Sequence, residues 1–353
     1  MLKNTPHSRL SVEDALRLWE EMPLAQLGAM ATELKIAKSG STVFYNKNIH
    51  LEPTNICVFR CKFCSYRRAE GEPGSWNYTM EEMEEICRSH SSKAITEVHI
   101  VGGVDPRRGF EFYEELLHRV GAILPNVALK TYTAVELHYI ITKAGLTIEE
   151  GLRRLQKAGM RAIAGGGAEI FDPAVRNEIC PDKCSAEEWL EVHRTAHSFG
   201  IPTNATILYG HIETIEQRLR HLEQLRELQD HTGGFSAFIP LKFKTSNNEL
   251  GEKITATSIT EDLRMMALCR LFLDNFDHIK AYWPMLGKAT TELALAFGAD
   301  DIDGTIDDTT KIYSMAGAED QNPRLDSLEC ENLIKRAGYI PVERDTFYNA
   351  ISK

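Results

Sequence analysis

Three cysteines fall within eight residues of the 353-residue chain: Cys57, Cys61 and Cys64, in the run CVFRCKFCSY that ends at Tyr66. Crowded thiols in a protein expected to work in the reducing cytoplasm point to metal rather than to disulfides. In a Cys-x3-Cys-x2-Cys loop, three thiolates can hold three irons of a 4Fe–4S cubane and leave the fourth iron without a protein ligand. That open iron can take the amino and carboxylate groups of S-adenosylmethionine, whose carbon–sulfur bond breaks when the reduced cluster delivers an electron. A 5′-deoxyadenosyl radical results. Such chemistry belongs to the cofactor, and the protein has to orient it and keep water away. Structural zinc is the competing reading, but it usually takes four ligands and favours paired Cys-x2-Cys groups. The other five cysteines, Cys87, Cys180, Cys184, Cys269 and Cys330, are scattered and read as packing residues, although Cys180 and Cys184 flank a turn-like Pro-Asp-Lys.

A frame must hold that loop. Short apolar or β-branched runs alternate with amphipathic helical stretches, which implies repeated βα units. Candidate strands lie at residues 48–54, 97–103, 128–134, 161–167, 202–208, 235–241, 278–284 and 301–306. Helical patterns fall between them, among others at 79–92, 147–159, 185–200 and 214–233, and often close on glycine, which can occupy the left-handed position after a helix. Eight parallel strands with covering helices favour an α/β fold of the (β/α)8 TIM-barrel type over a doubly wound open sheet. Functional residues then belong in the loops after the strands' carboxyl ends. Residues 1–47 read as a helical cap, 48–310 as the barrel and 311–353 as a C-terminal extension of one domain, with helices expected over 10–45 and 325–339.

Composition narrows the partners. A net charge of −11 without any Lys/Arg run argues against nucleic acid. A hydrophobic content of 43% suits a large core. No stretch approaches the roughly 20 apolar residues that span a bilayer, and the opening MLKNTPHSRL lacks the apolar core of a signal peptide. The expectation is a cytoplasmic protein without membrane partners.

The cysteine spacing, Phe63 before the last cysteine and Tyr66 two residues after it resemble the radical S-adenosylmethionine superfamily. That resemblance implies contact of Tyr66 with adenine, and of Gly102 and Gly103 with the methionine amino group. Where the superfamily often has an acidic residue third in this glycine motif, the chain has Val104, so backbone carbonyls would have to serve. Over nearly the whole chain, the segments 50–68, TAVELHY (133–139), GGGAEIF (165–171), NATILYGHIET (204–214), KAYWPMLG (280–287) and DGTIDDTTKIYSMAGA (303–318) are similar to the aminofutalosine (aminodeoxyfutalosine) synthase family of the futalosine route to menaquinone. The GGGAEI stretch is shared with the sister dehypoxanthine futalosine cyclase and with deazaflavin-forming relatives, which stand as alternatives. The resemblance implies a radical transferase. Its adenosyl radical adds to the enolpyruvyl double bond of 3-[(1-carboxyvinyl)oxy]benzoate, the aryl group migrates and carboxylate is lost, giving 6-amino-6-deoxyfutalosine. A flavodoxin or ferredoxin would supply the electron.

Two carboxylates on such a substrate need cationic or amide partners, because burying them unpaired costs several kcal/mol. Arg107 and Arg108 follow the second candidate strand, Lys242 the sixth, and Lys280 stands on the seventh. Glu136, after the third, is the candidate S-adenosylmethionine contact, with a helix N-terminal acid as its plainer reading. Glu169 follows three glycines that let backbone approach a ligand. With Asn204, Lys242 and Tyr282 it makes the candidate substrate set, and Thr206 and Asp303 stand at neighbouring strand ends. His211 is the candidate catalytic residue, able to move a proton or bind a carboxylate. His99, inside the second strand, reads as barrel packing. Alternation turns only one of Tyr282 and Trp283 inward, and the sequence does not say which.

Overall fold

The computed structural model describes residues 9–304, 311–317 and 324–351. The end of the last candidate strand, residues 305–306, and part of the 303–318 segment lie outside the described residues. Ten strands are described: β1 (Thr42–Tyr45), β2 (Asn48–Leu51), β3 (Glu97–Ile100), β4 (Ala128–Thr133), β5 (Met160–Ala164), β6 (Thr203–Tyr209), β7 (Phe235–Lys242), β8 (His278–Ala281), β9 (Asp301–Ile302) and β10 (Ile340–Glu343). All pair in parallel, in the order β10-β1-β9-β8-β7-β6-β5-β4-β3-β2. The unbroken sequential order from β2 to β9 is that of a barrel, whereas a doubly wound sheet reverses direction at its switch point. The sheet curls until Asn48 N, at the start of β2, donates to Gly304 O beyond β9 at 3.2 Å.

Every one of the eight candidate strands appears, as β2 to β9. Two further strands do not match the expected pattern: residues 42–45 extend a segment read as helical, and 340–343 a segment read as tail. Each is four residues long, and they pair with each other from Thr42↔Ile340 to Tyr45↔Glu343. Cross-strand pairing, more than local pattern, makes such short pieces strands.

Helix starts are written in the sequence. Thr79, Thr133, Thr147, Ser185 and Thr214 each accept from the backbone N–H three residues on, while the Glu or Gln there reaches back to the cap. Each such cap contributes about 1 kcal/mol. They open the helices Met80–His90, Ala134–Lys143, Ile148–Ala158, Ala186–Ser198 and Ile215–Thr232. Leu152, Trp189 and Leu222 on these helices join Val98, Ile100 and Ile163 of the strands in one apolar core.

Inside the curled sheet the packing is different. TIM-type barrels usually fill their interior with branched apolar side chains, but here Lys130 pairs with Glu97 at 2.6 Å, Lys280 with Asp303 at 2.9 Å and Arg344 with Asp301 at 2.7 Å. All six are buried. Three cations against three carboxylates make the layer formally neutral, and that pairing is what makes burial of the charges tolerable.

Candidate functional site

A cavity of about 320 Å³ opens where the strands end, with walls from the loops after β2, β3, β4 and β5 and from β6, β7 and the residues after β8. Cys57, Cys61 and Cys64 share one wall. Their loop is fixed by backbone bonds: Cys64 N donates to Cys61 O at 3.1 Å, Lys62 N to Ile179 O at 2.9 Å and Val58 N to Val104 O at 2.9 Å. Burial raises the Cys57 and Cys61 thiols above the usual range. Among the described residues no three His, Cys, Asp or Glu groups converge closely enough to hold a single metal ion. A cubane, by contrast, spreads its cysteine ligands over separate irons.

Beside the cysteines the wall is made of backbone. A Cβ on Gly102 would stand 2.9 Å from Thr54 O, and one on Gly103 2.4 Å from Ile56 O. Only glycine lets β3's end lie so close to the segment that leads into Cys57. Tyr66, also in the wall, is buried, stands edge-on to Trp76 and donates to Thr54 O at 3.1 Å. Glu136 lines the cavity and also takes its plainer role as the acid at a helix N-terminus. One carboxylate oxygen accepts from Thr133 N at 2.7 Å as a helix cap, and the other accepts from Gly102 N at 3.2 Å. Burial outweighs these hydrogen bonds and lifts its carboxyl to about 7.

Glu169 lies opposite, in a left-handed backbone conformation (φ 50°) that is rare outside glycine. Two contacts hold it there: its carbonyl accepts from Leu208 N at 2.8 Å, and its carboxylate meets Lys183 Nζ at 2.6 Å. Lys183 is placed by a buried arginine. Arg176 donates to Ala168 O and to Cys184 O, each at 2.6 Å, so it ties the loop after β5 to the turn that carries Lys183. Desolvation alone would lower the Lys183 ammonium, but the Glu169 carboxylate beside it holds it well above the ordinary lysine value. Sequence reasoning missed Lys183. Its one signal was the Pro-Asp-Lys turn between Cys180 and Cys184.

Asn204, Thr206 and Tyr282 line the cavity as well and Trp283 does not; β8 ends at Ala281 and Trp283 opens a short helix, so strand alternation, expected to divide this pair, does not apply to it. His99 was read as packing, yet it lines the cavity too. Other candidates are not brought to the wall. His211 is not among the residues that line it: its Nε2 stands 3.1 Å from Leu208 O, and its Nδ1 lies 2.9 Å from Glu213 Oε2. Lys242 Nζ is spent on Asp262 at 2.6 Å and Thr257 O at 3.0 Å. Arg107 pairs with Asp105, Arg108 donates to Tyr78 O, and Lys280 and Asp303 pair with each other beneath the cavity.

The cavity thus joins a three-thiol loop to a glycine wall that a flat or extended ligand can approach closely, at the carboxyl face of a parallel barrel. Both features fit a cluster with a bound S-adenosylmethionine. Residues 51–225 match the model of the radical SAM superfamily, and residues 232–352 that of the CofH/MqnC C-terminal region. Fold and site define a radical SAM enzyme, whose cofactors are a 4Fe–4S cluster and S-adenosylmethionine. The chain belongs to that superfamily, in the group that carries the CofH/MqnC C-terminal region. It is 43% identical to the aminodeoxyfutalosine synthase of Thermus thermophilus over 97% of this chain and 92% of that protein. The aminodeoxyfutalosine synthase of Streptomyces coelicolor is 38% identical over 97% and 91%. A Methanosarcina mazei protein named 5-amino-6-(D-ribitylamino)uracil–L-tyrosine 4-hydroxyphenyl transferase 2 is 38% identical over 96% and 88%. Among solved structures, methylornithine synthase (PylB) shares the fold at a TM-score of 0.75 and 18% identity, covering 95% of this chain and 94% of its own. No described helix is long and apolar enough to cross a membrane.

Proposed function

We propose that the chain acts as an aminodeoxyfutalosine synthase. It would join the adenosyl group of S-adenosylmethionine to the enolpyruvyl carbon of 3-[(1-carboxyvinyl)oxy]benzoate, with aryl migration and loss of carboxylate, to give 6-amino-6-deoxyfutalosine. The 43% identity along nearly the whole chain to the Thermus thermophilus synthase carries this reading. In it, Cys57, Cys61 and Cys64 hold the cluster, Gly102 and Gly103 face the methionine end of S-adenosylmethionine, Tyr66 its adenine, and a flavodoxin or ferredoxin gives the electron. When bound, the cofactors supply reductive carbon–sulfur cleavage and hence a 5′-deoxyadenosyl radical. The chain's own residues position and protect. Glu136 holds the Gly102 amide in place, Glu169 and Lys183 form a charged clasp at the wall, and Leu208, Ile239, Leu241 and Phe243 keep water from the reacting carbons. Asn204 and Tyr282 offer the deeper polar groups for the aryl acid.

The Methanosarcina relative favours a second reading, an aryl transfer from L-tyrosine to the aminoribityl uracil in its name. Anaerobic reactions of cluster-loaded protein with each substrate set, read by mass spectrometry, separate the two. A species joining adenosine to the benzoate skeleton, with methionine beside it, supports the synthase. Turnover of the tyrosine and uracil pair alone overturns it.

A further inference from the structure

Most polar groups around the cavity are already committed. Thr206 Oγ1 donates to Gly165 O at 2.5 Å, Glu136 accepts from two backbone amides, and Glu169 holds Lys183. His99 differs: it lines the cavity from the middle of β3, and among the described residues its buried Nε2 has no hydrogen-bond partner. Such an unsatisfied group costs about 1–3 kcal/mol.

The residues behind it show why the protein does not satisfy it. His50 stands opposite on β2, with its ring 4.8 Å away and tilted by 43°. His50 Nε2 is 3.8 Å from Asp303 Oδ2, and Asp303 is held by Lys280 at 2.9 Å and Asn48 Nδ2 at 3.4 Å. On β3 itself, two residues earlier and on the same face, Glu97 is taken by Lys130 at 2.6 Å and Thr346 at 2.9 Å. Among the described residues, the lysine and carboxylate charges of this layer are paired with one another rather than with His99. Burial, then the neighbouring His50, lower the His99 ring to about 3, against the weaker opposing pull of Glu97 and Asp303. The ring is therefore neutral at working pH, a hydrogen-bonding group rather than a counter-ion.

We infer that His99 is a substrate-binding residue, whose ring donates a hydrogen bond to an oxygen of the aryl-acid substrate at the floor of the cavity. His50 and Asp303 act through it as positioning residues. The inference rests on the synthase reading of the cavity.

The test is calorimetric titration of 3-[(1-carboxyvinyl)oxy]benzoate, and separately of S-adenosylmethionine, into cluster-loaded wild type, His99→Leu and His99→Gln. The benzoate should bind about tenfold more weakly to His99→Leu, the size of one lost hydrogen bond to a ligand. His99→Gln, which keeps an N–H donor, should recover part of the loss, and S-adenosylmethionine affinity should stay within about twofold throughout. If His99→Leu does not fold, His99→Phe takes its place. Unchanged benzoate affinity overturns the inference, as does an equal loss of affinity for both ligands, which marks a structural role. Failure of the synthase reading looks different: wild type then binds the acid yet forms no adduct, and the His99 comparison still reads out. Wild type that does not bind the acid overturns both.

Discussion

Gly103→Ala tests the glycine wall with a single methyl. The new Cβ would stand 2.4 Å from Ile56 O, 2.8 Å from Ile56 C and 2.9 Å from Asn55 C, all backbone atoms. To reach the 3.4 Å of ordinary contact, the Ile56 carbonyl must retreat by about 1 Å. Overpacking of this kind costs about 1–3 kcal/mol. Ile56 immediately precedes Cys57, so the shift is delivered to the cluster loop, and a displacement near 1 Å at reacting groups can cost about 100-fold in rate. The expected result is a variant that unfolds a few degrees lower, with reduced iron and sulfide per chain after anaerobic reconstitution and weaker S-adenosylmethionine binding. Gly121→Ala is the control. Its added methyl meets nothing nearer than Leu129 at 4.0 Å, inside a helix, and should stabilise by about 0.5–1 kcal/mol without touching the cluster. Full iron content and unchanged S-adenosylmethionine affinity in Gly103→Ala would refute the close-approach reasoning.

Further outcomes follow from the same geometry. Replacing Cys57, Cys61 or Cys64 by Ala should abolish turnover and lower bound iron while leaving the far-ultraviolet dichroism of a folded barrel, because loop ligands add little to the core; turnover with the cluster gone would falsify the ligand assignment. Lys183→Met strands the Glu169 carboxylate without its partner at 2.6 Å, at a cost of about 3–5 kcal/mol in denaturant unfolding, and adding Glu169→Gln should return most of that. Glu136 gives a pH signature. Its folded carboxyl, at about 7, lies above the 4.5 of an ordinary glutamic acid, so the folded state binds the extra proton between these values and stability falls as pH rises through that window. The fall attributable to this residue is about 3 kcal/mol between pH 4.5 and 7, levelling above, and Glu136→Gln should flatten it in cluster-free protein.

The barrel was legible because its signals are local. Capping residues such as Thr147 and Thr214 sit directly before the helices they start, and apolar runs such as 203–209 mark a strand whatever lies beside them. The cysteine loop was legible for the same reason, since its spacing alone restricts the chemistry. What the sequence hides is pairing at a distance. Lys183 meets Glu169 across 14 residues, Lys242 meets Asp262 across 20, and Arg344 meets Asp301 across 43. Lys242 accordingly read as a substrate cation when its charge is already neutralised, and His211 read as a proton-moving or carboxylate-binding group, although its Nδ1 stands beside Glu213, two residues on, and the ring does not line the cavity. His99 erred in the opposite direction. A histidine within a strand ordinarily finds a partner, but among the described residues the charges of neighbouring strands are paired with each other and leave its Nε2 without one. The strands β1 and β10 were hidden because each is defined by the other, nearly 300 residues away along the chain.

The central claim is that the adenosyl group becomes part of the product. Its most direct test uses S-adenosylmethionine carrying carbon-13 at the adenosyl 5′ position, with cluster-loaded protein, reductant and 3-[(1-carboxyvinyl)oxy]benzoate under anaerobic conditions. The account predicts that carbon NMR finds the label bonded to a carbon of the former enolpyruvyl group, in step with methionine release. Label recovered entirely as 5′-deoxyadenosine, with the benzoate ether unconsumed or altered without it, would contradict that claim.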